Sequence, residues 1–462
     1  MAVGATLALG GCGDEAAYEA PAPAQGQGPG YTPGSAPGAG GGELSVDMGV
    51  AGASGAELPT GPGPDGAVQV GGLGPLIRAE GFLDLAPQLG EPLPDAPAGE
   101  WNYLEMAGTK CRDGSPAGLY YRYSDSSTNY FVFLEGGGAC SDDFFCPLNP
   151  QNVDEKVDGE TVIEAGLVNF GGASAIPAKQ EPRTDGIFKD DPRNPVAGWN
   201  AIYVPYCSGD VYGGTREQAM VPKWQVGGPQ DFTGYHNTSL MAGRVVATFL
   251  DADKALLTGS SAGGVGSLMN AGQFGDLLGN HTTTRGFIVS DSGPVFDDQH
   301  LEPCLQKQWR ELWGLDDSLP QDCEGCFNAD GGGVVRGMGE YLMTKFSGQD
   351  QVVGGLISSY DDEIMAMFFG KGLDACAGNP FYPAGRYRAG LEDFRDNVLD
   401  PERFGTYFME GTLHMHIFRP RFYEDNGTGT TIADWLTRLL DNEAVHVAPG
   451  GAGVDPHAVA VP

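Results

Sequence analysis

Four short apolar runs punctuate the middle of the chain: "YFVFLEGGG" (130–138), "AIYVPYCSGD" (201–210), "ALLTGSS" (255–261) and "GFIVSDSG" (286–293). Each ends in glycine or turn residues. Continuous runs of Val, Ile, Leu, Phe and Tyr, with no alternating polar positions, predict strands covered on both faces, as in a parallel sheet wrapped by helices. Between the second and third runs, "NTSLMAGRVVATFL" (237–250) opens with Asn and Thr as capping residues. It repeats Leu240, Met241, Val245 and Phe249 at near-helical spacing, so a helix is expected there. Strand–helix–strand order points to an α/β fold. The region 295–350 holds the Trp-rich "QKQWRELWGL" and three cysteines, and reads as an inserted helical cap stapled by disulfides. No internal repeat is visible.

The ends read differently. From Gly13 to about residue 76, Gly, Pro and Ala dominate, a composition too poor in apolar surface to offset the entropy of ordering, so a disordered linker is expected. The stretch 443–462 reads as a flexible tail, which leaves 77–442 as the folded domain. The opening "MAVGATLALGGCGDE" resembles the end of a bacterial lipoprotein signal, with residues 1–12 as signal and lipobox and Cys12 as the acylated residue, although a basic n-region is missing. No other stretch approaches the ~18 apolar residues of a membrane span. The chain is therefore expected to be exported, either secreted or held at a bacterial membrane through that lipid alone.

Composition narrows the partners and the redox setting. The 26 Lys and Arg against 61 Asp and Glu sum to −35, which repels nucleic acid. Of nine cysteines, setting aside Cys12 leaves an even number, suited to as many as four disulfides in an oxidising compartment. "CEGC" at 323–326 has no second CxxC to complete a zinc site and is read as structural.

Candidate chemistry centres on "LTGSSAGG". A G-x-S-x-G elbow needs glycine two residues either side of the serine, because larger side chains would collide with neighbouring backbone on the sharp strand-to-helix turn. Ser261 meets this with Gly259 and Gly263, whereas Ser260 has Thr258 before it. A phosphate-binding loop would need a G-K-[ST] ending that is missing. A serine nucleophile needs a base and fixed N–H donors for the developing oxyanion. "FLEGGGAC" puts three glycines directly after a strand, and the amides of Gly137, Gly138 and Ala262 are the expected donors.

In this fold class the order is nucleophile, acid, histidine. His414, on a loop after "YFMEG", is the best placed of the histidines that follow Ser261; His414-x-His416 as a metal pair lacks a third ligand nearby. For the acid, Asp291 ends a strand, and Asp361 and Asp362 lead an apolar helix where they would also serve as caps. The residues alone leave these three open.

Together, "FLEGGGAC", "WNAIYVPYCSGDVYGG", "LTGSSAGGVGS", "SDSG", "YDDEIMAMFFG" and "GTLHMHIF", in that order over about residues 101–418, resemble the pectin acetylesterase/Notum family. The resemblance implies an α/β-hydrolase-like fold, cleavage of carboxylic esters by a Ser-Asp-His triad, and no metal or organic cofactor. It places the nucleophile on Ser261, the acid on Asp361 after Tyr360, the histidine on His414, and the glycine pair on Gly136 and Gly137. Gly138 stands where some members carry Trp. The second acid, Asp362, leaves that assignment open by one place. The substrate expected is an O-acetylated, weakly charged polysaccharide or small ester, with polygalacturonate disfavoured by charge. Alternatives are removal of a longer acyl chain from protein or lipid, which would need a deep apolar pocket, and a non-catalytic surface lipoprotein using the scaffold for binding. A monomer is expected.

Overall fold

A computed structural model describes residues 67–69, 75–78, 87–153, 184–224, 227–319, 353–377 and 382–450 of the protein. Cys12 and the signal segment, most of the expected linker, and Cys323 and Cys326 lie outside the described residues.

The strands are β1 (Ala67–Gln69), β2 (Pro75–Arg78), β3 (Asn102–Glu105), β4 (Gly118–Arg122), β5 (Tyr130–Leu134), β6 (Asn200–Val204), β7 (Arg216–Met220) and β8 (Pro229–Phe232). They continue with β9 (Lys254–Ser260), β10 (Arg285–Asp291), β11 (Gly354–Ser359), β12 (Phe404–Met409) and β13 (His446–Val447). Nine form one sheet in the order β13-β12-β11-β10-β9-β5-β6-β4-β3. From β13 to β6 every pairing is parallel; β4 and β3 add an antiparallel edge. This is the mostly parallel sheet expected from the apolar runs, as in the α/β-hydrolase-like fold that the resemblance implies. A smaller antiparallel sheet has the order β1-β2-β7-β8.

The helices are α1 (Gly234–Thr248), α2 (Ala262–Met269), α3 (Ala271–His281), α4 (Pro303–Trp313), α5 (Glu363–Gly370), α6 (Ala384–Asp393) and α7 (Ile432–Leu440). All five residues of β5 are buried, and the strand's period of two divides them between layers. Tyr130, Val132 and Leu134 pack with Met241 and Val245 of α1 and Leu277 of α3. Phe131 and Phe133 turn to the other face, toward the cluster that holds Trp435 and Leu436 of α7. Ile202 and Val204 of β6 divide from Ala201 and Tyr203 in the same way. A strand covered on both faces has no solvated side, which is why its sequence shows no alternation.

Two expected boundaries move. Ala67–Gln69, within the expected linker, is a strand paired with β2. The expected tail beyond residue 442 begins with structure: β13 pairs with β12, and the Val445 carbonyl accepts bonds from Trp435 Nε1 (3.0 Å) and the Thr406 amide (3.0 Å). In both places polar and small residues mask pairing that depends on a distant strand.

The cap is partly described. Helix α4 starts with Pro303 at its first turn and ends on Gly314 in the left-handed conformation, the usual stop signal. Cys304–Cys376 staples it to the segment after α5. The other disulfides among the described residues, Cys111–Cys207 and Cys140–Cys146, tie loops near the ends of β5 and β6. No helix among the described residues is long and apolar enough to cross a membrane.

The sheet also explains where a site can form. The chain leaves β5 for β6 on one side and later returns to β9 on the other, so the carboxyl ends of β5 and β9 flank a topological switch point. Ligands bind at such crevices in open α/β sheets.

Candidate active site

Ser261 sits at that crevice, between β9 and α2, with φ 59° and ψ −121°. This is a strained region for a residue with a β-carbon and is held by its surroundings: the Ser261 amide donates to the Asp291 carbonyl (2.8 Å), and the Ser261 carbonyl accepts from the Val265 amide (3.0 Å). The flanking glycines have the steric reason the sequence suggested. A β-carbon on Gly259 would overlap the Gly263 carbonyl, and one on Gly263 would overlap that of Leu134.

The two adjacent serines have separate jobs. Ser260 is fully buried, and its hydroxyl donates to Asp291 Oδ2 (2.6 Å). Ser261 instead faces a cavity.

Beyond β5, Gly136 lies directly against the elbow, since a β-carbon there would come 2.9 Å from Ser261 Cβ. Gly138 has φ 78°, a conformation that disfavours any larger residue, including the Trp that some family members carry. The amides of Gly137, Gly138 and Ala262 have no acceptor among the described residues. Asn149 Nδ2 holds the Gly137 carbonyl (2.7 Å), and Trp313 Nε1 of the cap holds that of Cys140 (2.9 Å).

The carboxylate that meets His414 is not the one implied by the resemblance. His414 Nδ1 bonds Asp362 Oδ2 at 2.8 Å, with both side chains almost fully buried. Asp361 instead turns outward, 3.2 Å from the Arg388 guanidinium, which also pairs with Glu410. The two residues lie in the turn between β11 and α5 and face different ways, so one place along the chain decides which carboxylate meets the imidazole. Asp362 also caps α5, its Oδ1 accepting from the amides of Ile364 and Met365 (3.0 Å each). The same carboxylate therefore caps the helix and meets the imidazole.

Asp291 is a brace. Its Oδ2 accepts from Ser260 Oγ and from the amides of His416 (2.7 Å) and Ile417 (2.9 Å). Next to it, Ser292 Oγ accepts from the Met415 amide (3.0 Å). Burial pushes the Asp291 carboxyl up, while the Ser260, Ile417 and His416 bonds pull it back. Through these bonds the loop carrying His414 is fastened to the carboxyl end of β10, whose Asp291 carbonyl also receives the elbow amide. The sequence signal for this was present in "SDSG" but pointed equally to a catalytic acid.

His414 and His416 do not share a site. His416 is fully buried, with Nε2 3.3 Å from Ser359 Oγ and Nδ1 3.4 Å from Arg421. Burial first, then the Arg421 charge, pushes it down to about 3. The folded chain therefore keeps His416 neutral, while the unfolded chain protonates it below about pH 6.5. Stability from this group is complete above pH 6.5 and is lost as pH falls toward about 3. In urea titrations at several pH values, His416→Gln should flatten that fall by up to about 1.4 kcal/mol per pH unit relative to the parent. An identical slope in the variant would remove the assignment.

The cavity at Ser261 has about 700 Å³ of space, including its open mouth. Its wall is apolar. Helix α2 contributes Val265 and Met269, α4 contributes Trp309 and Trp313, and α5 contributes Met365, Phe368 and Phe369. The two tryptophans stack, with centroids 5.6 Å apart and 9° between planes. Pro294, Val295 and Leu301, from the loop after β10, close another side. His414 does not line this cavity, and its Nε2 is buried with no hydrogen-bond partner among the described residues. Sequence reading missed the cavity because its walls come from three helices and several loops, from Gly138 to Phe369 along the chain, none with a local signature.

The family model described as pectinacetylesterase matches residues 100–331, half of the chain. A palmitoleoyl-protein carboxylesterase, notum1a of Danio rerio, is 30% identical over 207 residues, which cover 43% of this chain and 36% of that protein. Pectin acetylesterase 5 of Arabidopsis thaliana is 27% identical over 226 residues, 47% of each chain. The match thus spans between about a third and a half of these relatives. The fold resembles the structure of the Drosophila Wnt deacylase Notum, with a TM-score of 0.54 and 20% identity, covering 76% of this chain and 96% of that one.

Proposed function

Because this chain belongs to the pectinacetylesterase family, a family of carboxylesterases, we propose that it hydrolyses carboxylic esters through Ser261, His414 and Asp362, taking an acyl group longer than acetyl into its apolar cavity. His414 Nε2 removes the Ser261 proton, the alkoxide attacks the ester carbonyl, and the alcohol leaves with a proton from the imidazolium. The amides of Gly137, Gly138 and Ala262 receive the oxyanion. Water, deprotonated by His414, then releases the acid. Asp362 holds the tautomer with the proton on Nδ1 and steadies the imidazolium.

The observation that carries the acyl preference is the wall itself, built from aromatic and aliphatic side chains around Ser261. Acetyl would leave most of that surface without a partner. Each methylene buried contributes about 0.8 kcal/mol, so octanoyl should outrun acetyl by roughly tenfold or more in kcat/KM on nitrophenyl esters. Acetyl preferred over octanoyl would sink this part.

That outcome would favour the second reading, release of acetyl from an O-acetylated polysaccharide, which the likeness to a pectin acetylesterase supports. Release of free acetate from acetylated xylan and pectin tests it directly. Export, with Cys12 as a lipid anchor, is part of the same proposal and is tested by metabolic labelling with a fatty-acid probe in a Cys12→Ala variant.

A further inference from the structure

Away from the ester site, Asp297, His300 and Asp393 offer one ligand atom each, all within 4.8 Å of one another. Asp297 and His300 lie three residues apart in the loop after β10, where the His300 amide donates to the Asp297 carbonyl (3.0 Å) in one turn. Asp393 arrives from the end of α6. His300 is 6% exposed, and neither ring nitrogen has a hydrogen-bond partner among the described residues. An imidazole without hydrogen bonds in such a setting costs free energy that a partner for its nitrogen would offset. Its Nε2 stands 3.5 Å from Asp393 Oδ2 without forming a hydrogen bond.

We infer that Asp297, His300 and Asp393 form a structural site for a zinc-class divalent cation, clamping α6 to the loop that walls the ester cavity. Two ligands about 2.1 Å from a tetrahedral zinc stand about 3.4 Å apart, close to the spacing of His300 and Asp393. The Asp297 carboxylate, within 4.8 Å of the other two ligand atoms, closes the third edge, and water completes the shell. One imidazole and two carboxylates form a borderline N/O donor set, suited to zinc rather than to the all-oxygen shells of calcium or magnesium. Each carboxylate is already braced: Asp297 Oδ1 accepts from the Gln299 amide (2.9 Å), and Asp393 Oδ1 accepts from Asn397 Nδ2 (2.7 Å). Arg386, which also reaches this loop, is committed to Glu302 and the Gln299 carbonyl.

The clamp has a structural consequence. Pro294, Val295 and Leu301, on either side of the ligands, line the cavity. Phe296 packs edge-on against Phe369 of the cavity wall and Tyr387 of α6. A bound cation therefore stiffens one wall of the cavity without entering the reaction.

The test uses the full chain, stripped of metal with a chelator and titrated with zinc chloride by calorimetry, with melting temperature followed in parallel. The expected result is about one zinc per chain and a rise in Tm, with affinity reduced roughly tenfold or more in Asp393→Asn and in His300→Gln. Asp393 is the more exposed ligand, so its variant keeps the test valid if His300→Gln fails to fold. Absence of zinc binding by the stripped parent, which would leave only a histidine–carboxylate ion pair, overturns the inference. So does binding by folded Asp393→Asn that matches the parent.

Discussion

Ser261→Ala should lower turnover of nitrophenyl esters by roughly 10⁴-fold or more while the melting temperature stays close to that of the parent. Its hydroxyl makes no hydrogen bond among the described residues, so removing the oxygen strips no support from the fold. The contrast is Ser260→Ala. There the lost hydroxyl is a buried donor to Asp291, and the variant should lose about 1–3 kcal/mol of stability with its chemistry retained in the folded fraction. Turnover by folded Ser261→Ala at near-parental rates would end the serine mechanism. Labelling by a fluorophosphonate gives an independent reading, since an unactivated serine does not react.

The second large effect separates two adjacent carboxylates. Asp362→Asn should reduce kcat by about 10⁴-fold, because an amide facing Nδ1 no longer holds the imidazole in the tautomer that leaves Nε2 free to accept a proton. The fold should survive. Asn caps helices as well as Asp does, so the bonds to the Ile364 and Met365 amides persist through its carbonyl oxygen. Asp361→Asn removes only a partly exposed contact with Arg388, which keeps Glu410, and should leave kcat within about threefold of the parent. Steady-state kinetics on both variants decides: a severe loss in Asp361→Asn with a mild one in Asp362→Asn would reverse the assignment.

The acid shows where sequence reasoning reached its limit. "YDDE" announced a carboxylate at the start of an apolar helix, and His414 announced its partner, but the choice between Asp361 and Asp362 rests on which side of the turn each faces. Asp291 gave an equally good signal, and its carboxylate meets the amides of the His416 loop and not the His414 ring. A buried aspartate at a strand end looks the same along the chain whether it orients a histidine or braces a loop. Its partners, the amides of His416 and Ile417, lie more than 120 residues away.

What the sequence by itself determined was the local part: the buried strands, from runs with no solvated side; the elbow, from the glycines two residues either side of Ser261; and a helix in the cap, from the Trp-rich run and its cysteines. Each shows as a pattern of residue types within one short stretch, so it can be read where it occurs, even though the groups it packs against come from elsewhere. The tertiary structure alone decided which carboxylate meets His414, what surrounds the Ser261 hydroxyl, and that residues 67–69 and 446–447 join sheets. Each of those outcomes depends on groups brought together from distant positions, and the pattern along a single chain does not encode such distances.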